Sequence, residues 1–173
     1  AFKEARSENY QNWAKNVADN AQALAEECQK LGMVLQTGGT DNHLMLIDTT
    51  TFGLTGKQAE AAMFRCGVTL NANALPFDKN GPWWTSGIRV GTPAVTTLGM
   101  TKEDMKEIAS IINLVLQGTK PGLTKEGKPA KGKIEIDAAV EEEGKKRVNA
   151  LLSKYVLYPE LDLDFLKAEF VKD

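Results

Sequence analysis

The segment from Asn71 to Ala94, NANALPFDKNGPWWTSGIRVGTPA, limits the fold more than any other part of the chain. Pro76, Pro82 and Pro93 each remove a backbone donor, and Gly81, Gly87 and Gly91 favour turns, so no long helix runs through it. Between two of those glycines lies Ile88-Arg89-Val90, which reads as a short apolar strand with a cation at its centre. Glycines on either side let a second backbone or a ligand come close. Arginine presents a planar fork of donors matched to a carboxylate. Arg89 is therefore a candidate anion anchor; the alternative is a solvated or surface-paired cation. The adjacent Trp83 and Trp84 read first as core and rim packing, with a ring-stacking platform as the alternative.

Hydrophobic spacing around this segment predicts an α+β fold: a small, mainly antiparallel sheet covered by helices and preceded by a long connecting helix. Tyr10, Trp13, Val17, Ala21, Leu24, Cys28 and Leu31 recur every three or four residues, which predicts one helix over about 4–31, closed by Gly32. Residues 33–36 and 44–48 read as an antiparallel pair of strands around Gly38-Gly39 and Asp41-Asn42. Thr55 and Gln58 form a capping-box pair that opens a second helix, ending near Cys66. Val68-Thr69-Leu70 then leads into a loop carrying Asn73, whose side chain suits either an Asx turn before Pro76 or a polar ligand. Thr101 caps a third helix with Glu103 and Asp104 in its first turn, and Met105, Ile108, Ile112 and Val115 face the core. Residues 118–135 hold two prolines, four glycines and five lysines, the composition of a flexible surface loop. A final helix is predicted over Ile136 to Tyr155, and Phe165, Leu166 and Phe170 suit one more short docking helix. The expected organisation is a connecting helix over 1–32 and a small domain over 33–173.

Lys and Arg number 21 against 23 for Asp and Glu, a balance that points to neither nucleic acid nor an anionic membrane as partner. No apolar run reaches the length of a membrane span. Cys28 and Cys66 lie on predicted helices among apolar neighbours and read as reduced core residues of a cytoplasmic protein. His43 is the one histidine, so no His-based metal cluster is expected; Asp41-Asn42-His43 reads as a set of turn-locking residues. The chain opens Ala-Phe-Lys-Glu-Ala, almost directly into a helix, as expected of a piece of a longer polypeptide without a secretory leader.

Five blocks, in order, resemble the C-terminal domain of serine hydroxymethyltransferases, fold-type-I enzymes that use pyridoxal 5'-phosphate. They are Thr37 to Leu44 (TGGTDNHL), Leu54 to Glu60 (LTGKQAE), Asn71-Ala72-Asn73 with Pro76-Phe77, Thr85 to Ala94 (TSGIRVGTPA) and Thr97 to Met100 (TLGM). The resemblance implies a homodimeric, cytoplasmic enzyme that interconverts serine plus tetrahydrofolate with glycine plus 5,10-methylenetetrahydrofolate. It assigns the substrate-carboxylate arginine to Arg89. Folate contacts fall to Asn73 and to the run Gly81-Pro82-Trp83, where a family serine is often found in place of Gly81; backbone contacts survive that change. The family binds its cofactor through a lysine preceded by threonines and a histidine, and no such run occurs here. The fragment is therefore expected to be inactive alone, and to present apolar surface to a large domain and a second subunit. The family's connection at 118–135 is usually shorter. A free-standing folate- or amino-acid-binding module of the same fold is the alternative. Another pyridoxal-phosphate enzyme of this fold type is a third reading, from which the Asn73 and Gly81–Trp83 blocks tilt away.

Overall fold

A computed structural model describes residues 1–170. The predicted first helix is broken at its start: α1 covers Phe2–Ala5 and α2 covers Glu8–Lys30. Ser7 makes the break, because its hydroxyl accepts from Tyr10 N (3.3 Å) and donates to the Glu4 carbonyl (2.6 Å). That is N-cap chemistry, which the hydrophobic period does not reveal. Val17, Ala21, Leu24 and Cys28 are buried as their spacing predicts, whereas Tyr10 is exposed. Gly32 takes φ +83° just beyond the helix end. Residues 33–36 do not form a full strand. Only Leu35 bridges to Ile47, with Gln36 N donating to Leu46 O (3.0 Å) and Asp48 N to Val34 O (2.8 Å).

The sheet has three antiparallel strands, β1 (Leu44–Asp48), β2 (Asn71–Asn73) and β3 (Gly87–Gly91), in the order β1-β3-β2. The segment around Asn73, expected as loop, is thus an edge strand. Pairing puts Leu46, Arg89 and Asn71 in one row and Asp48, Gly87 and Asn73 two rows on. Side chains alternate between faces, so Met45, Ile47, Ile88 and Val90 enter the core while Leu44, Leu46 and Arg89 lie on the other face. Helices α2, α3 (Gly56–Arg65) and α6 (Lys102–Gln117) close over the core face with Leu24, Met63, Met105 and Ile112. Complete burial of each such side chain contributes about 1.5–3 kcal/mol. Short helices α4 (Gly81–Trp84) and α5 (Pro93–Thr97) flank β3, and one 3₁₀ turn spans Thr50–Phe52.

The flexible loop expected over 118–135 is an ordered hairpin of β4 (Thr119–Leu123) and β5 (Pro129–Ile136). Its glycines and prolines fall where a hairpin tolerates them. Gly127 takes φ +76° at the turn, and the register shifts between Pro121 and Leu123. Ile134 and Ile136 alternate onto the core. Ile136 therefore belongs to β5, and the next helix, α7 (Ala138–Leu152), begins later than predicted, where Asp137 accepts from Ala139 N at 2.8 Å. Tyr155 lies past its end and donates its phenol to Asp104 at 2.7 Å. Arg147 on α7 clamps Glu107 on α6 through two bonds of 2.8 and 2.7 Å. Helix α8 (Leu163–Phe170) forms as predicted, but Phe165 and Phe170 stay exposed instead of docking.

Candidate functional site

Arg89 stands at the middle of β3, on the sheet face turned away from the core, and is exposed. It makes no ion pair among the described residues. Its Nε donates to Asn71 Oδ1 at 3.0 Å, across the β2–β3 pairing. That bond holds the inner nitrogen and leaves the two terminal amino groups as an outward fork, the geometry that accepts a carboxylate end-on. Asn71 was not among the residues singled out from sequence; its signal was its place two residues before Asn73, on the same strand face. A groove of about 440 Å³ opens beside Arg89, lined by Asn71, His43 and Gly91 among polar or backbone groups and by Leu70, Val95 and Ile108 on its apolar side.

Asn73 lies opposite Gly87, half-buried, and its amide donates to the Ala74 carbonyl at 2.7 Å. Gly81, Pro82 and Trp83 occupy the short helix α4, entered through Gly81 at φ +74°. Trp83 is 73% exposed and Phe77 100% exposed, so neither is a core residue. Trp84 is half-buried. None of Asn73, Gly81, Pro82 and Trp83 lines the groove beside Arg89; the groove is bounded by Asn71 instead. A second hollow of about 340 Å³, lined by Asp48, Pro76, Asp78, Asn80 and Ser86, lies along the loop that joins β2 to α4.

Asp78 is the hub of that loop. Its two carboxylate oxygens accept from Leu75 N (3.0 Å), Asn80 N (2.7 Å), Ser86 N (2.7 Å) and Ser86 Oγ (2.6 Å). Burial works against its charge, but the Ser86 hydroxyl and the three backbone donors outweigh burial and hold the carboxyl below its ordinary range. Thr85, between α4 and β3, takes φ +54° and ψ +164°, a region costly for a side chain. Its buried hydroxyl has no hydrogen-bond partner among the described residues. The strain persists because Gly56 N donates to the Thr85 carbonyl (3.0 Å) and Ser86 is tied to Asp78. Strain of this kind concentrates where a backbone is held for function.

His43 is exposed at the rim of the first groove, and its carbonyl accepts from Thr92 N at 3.1 Å. The turn before it is locked by Asn42 Oδ1, which accepts from Leu44 N (3.0 Å), and by Thr40 Oγ1, which donates to Leu44 O (2.6 Å). Cys28 and Cys66 are buried free thiols, and burial raises both, Cys28 to about 12. Among the described residues there is no cluster of three or more metal-ligating side chains and no helix long and apolar enough to cross a membrane.

A family model for serine hydroxymethyltransferase matches residues 1–112, which include α2, the whole three-stranded sheet and most of α6. The chain belongs to the serine hydroxymethyltransferase family. It is similar to the serine hydroxymethyltransferase of Treponema pallidum, with 54% identity over 99% of this chain and 30% of that protein. It is also similar to those of Salinispora tropica (47% identity, 94% of this chain, 34% of that protein) and Chlamydia trachomatis serovar L2 (44% identity, 96% and 33%). The chain spans about a third of the length of these curated relatives. The match to the Treponema protein runs over essentially all of the chain, so the β4–β5 hairpin lies inside it.

Proposed function

We propose that this chain is the C-terminal part of a serine hydroxymethyltransferase. The complete enzyme interconverts serine plus tetrahydrofolate with glycine plus 5,10-methylenetetrahydrofolate, releasing water in the forward direction. Residues 1–32 lead in from a large domain, and residues 33–173 form the small domain. Arg89 binds the carboxylate of serine or glycine, and Asn73 with Gly81, Pro82 and Trp83 forms one wall of the folate cleft. The observation that carries this reading is the unpaired, outward fork of Arg89, braced by Asn71 on a rigid strand.

Pyridoxal 5'-phosphate supplies the electron sink for such chemistry. The residues here do not make a seat for it: every described lysine is exposed, and none is preceded by a run of threonines and a histidine. The cofactor's attachment falls to the remaining two thirds of the enzyme. What Arg89 contributes is orientation. Two parallel N–H donors fix both oxygens of the amino acid, so the carbon skeleton cannot rotate about its carboxylate end. Asn71 limits rotation of the guanidinium itself. At the other site, the exposed indole of Trp83 offers a face for a flat ring, and the Asn73 amide supplies a polar partner for a heterocycle edge. Exposed Phe2, Phe64, Phe77 and Phe170 suit contact with a large domain or a second subunit.

The test is Arg89→Ala in the complete enzyme. The serine KM should rise steeply and kcat fall with it, since a mispositioned substrate reacts slowly. Unchanged serine kinetics would remove the assignment.

A further inference from the structure

Helix α4 carries the proposed folate wall yet has little to hold it in place. It is four residues long, its Pro82 and Trp83 are exposed, and so short a helix is unstable by itself. The bracing comes from strand β5 of the hairpin. Gly132, in the middle of β5, lies under the ring of Trp84: a Cβ placed on it would sit 2.7 Å from Trp84 Cζ3 and 3.1 Å from Cη2. The indole thus rests on the strand backbone in a gap that only glycine leaves. On both sides of Gly132 the strand is pinned to the start of α3. Thr55 Oγ1 donates to the Lys131 carbonyl (2.8 Å), and Gln58 Nε2 donates to the Ala130 (2.7 Å) and Lys133 (2.8 Å) carbonyls.

The same helix start holds the far end of α4. Gly56 N donates to Thr85 O at 3.0 Å, and Thr85 N closes the turn onto Gly81 O at 3.0 Å. A Cβ on Gly56 would fall 2.1 Å from Thr85 Oγ1, so these backbones also meet without a spacer. Helix α4 is therefore gripped between β5, through Trp84, and the α3 N-terminus, through Thr85. The grip is itself tied together by Thr55 and Gln58.

We propose that the β4–β5 hairpin sets the position of the folate wall, with Gly132 as the positioning residue and Trp84 as the relay. The inference rests on the reading of Gly81–Trp83 as part of the folate cleft. A side chain at 132 displaces the far edge of the Trp84 ring by about 1 Å to restore ordinary carbon–carbon contact, and the proposed relay carries that shift through the α4 backbone to Trp83 and Gly81. The Arg89 fork lies on β3 and is braced by β2, so it stays in place.

The experiment compares Gly132→Ala and Gly132→Val with the unmodified complete enzyme, measuring KM for tetrahydrofolate and for serine separately. The folate KM should rise about threefold for Gly132→Ala and at least about tenfold for Gly132→Val, with the serine KM within about twofold. Adding Trp84→Leu to Gly132→Ala, which removes the clashing ring, should return the folate KM toward the value of Trp84→Leu alone. An unchanged folate KM in the Gly132 variants overturns the proposal. Equal rises for serine and folate also overturn it, because they mean general loosening. Asn73→Ala and Trp83→Ala separate the two layers. If they raise the folate KM while the Gly132 variants do not, only the hairpin's role fails. If they leave it unchanged, the wall itself is wrong and the hairpin's role falls with it.

Discussion

Replacing Asn71 by aspartate keeps the shape of the side chain and changes one thing that matters to Arg89. Asn71 Oδ1 already accepts from Arg89 Nε at 3.0 Å, so a carboxylate in the same place forms an ion pair with no rearrangement. Two unit charges about 4 Å apart attract by about 1 kcal/mol in water and about 4 kcal/mol near a protein surface. Arg89 is exposed, which favours the lower half of that range. The built-in carboxylate then competes with the substrate's, and about 2 kcal/mol lost from substrate binding is about a thirtyfold rise in serine KM. The folate KM should hardly move. Asn71→Ser, which loses the brace but adds no charge, should cost about 1 kcal/mol and raise the serine KM about fivefold. Salt discriminates further: an exposed pair is screened, so the aspartate variant should recover part of its serine affinity as salt is raised, relative to the serine variant. The pairing lowers the new carboxyl below its ordinary value near 4, so the defect should persist unchanged from about pH 6 to 9. Steady-state kinetics of the complete enzyme at two salt concentrations measure all of this. Equal serine KM for Asn71→Asp and the unmodified enzyme would refute the reasoning, because an arginine indifferent to an adjacent anion is not gripping another.

Gly56→Ala places a methyl 2.1 Å from Thr85 Oγ1 and 2.3 Å from the Gly87 carbonyl, so thermal unfolding should show a loss of about 3 kcal/mol; a loss under 1 would mean the helix start is free to shift. Asp78→Asn puts an NH₂ where two of four donors now point, and should cost about 1–3 kcal/mol and speed amide exchange across 75–86. Arg147→Ala leaves Glu107 unpaired at the α6–α7 contact; with both groups partly exposed the loss should be about 1 kcal/mol at pH 7. The Arg147 guanidinium holds Glu107 below the usual carboxylate range, so that contribution is complete above the ordinary glutamate pKa and fades as pH falls through the lowered one. The unfolding difference between Arg147→Ala and the unmodified protein should therefore shrink on acidification.

The core was legible because its signal is periodic. Val17, Ala21, Leu24 and Cys28 share one helix face, Met45 and Ile47 alternate along a strand, and all are buried. What escaped were breaks in the period. Ser7 interrupts the first helix by accepting a single backbone bond, and nothing in the apolar spacing on either side changes there. The hairpin was hidden by its composition. Glycine, proline and lysine describe a loop when counted, but Ile134 and Ile136 at a spacing of two, with Gly127 between two short runs, describe a hairpin when placed. Residues 33–36 failed the other way: their apolar content fits a strand, yet beside β1 they hold a single bridge and two further backbone bonds.

The same division separates the residues proposed to meet a ligand from those proposed to aim them. Arg89 carried a signal of its own, because a cation at the centre of a short apolar strand is unusual, whereas Asn73 and Gly81–Trp83 were singled out through the resemblance of their blocks to the family. Asp78, Thr85 and Gly132 carried none, and Asn71 only its place two residues before Asn73. An asparagine, an aspartate, a threonine and a glycine are unremarkable in a turn-rich stretch, and each acquires meaning only from a partner brought by the fold: Arg89 at 3.0 Å, four donors around one carboxylate, the Gly56 backbone, the Trp84 ring. Those partners lie up to 48 residues apart in the chain, as with Trp84 and Gly132. Positioning is a property of pairs, so a substitution scan confined to exposed polar residues would find the first set and pass over the second. Double variants across each pair, Gly132 with Trp84 or Asn71 with Arg89, are the measurements in which a positioning role becomes visible as non-additivity.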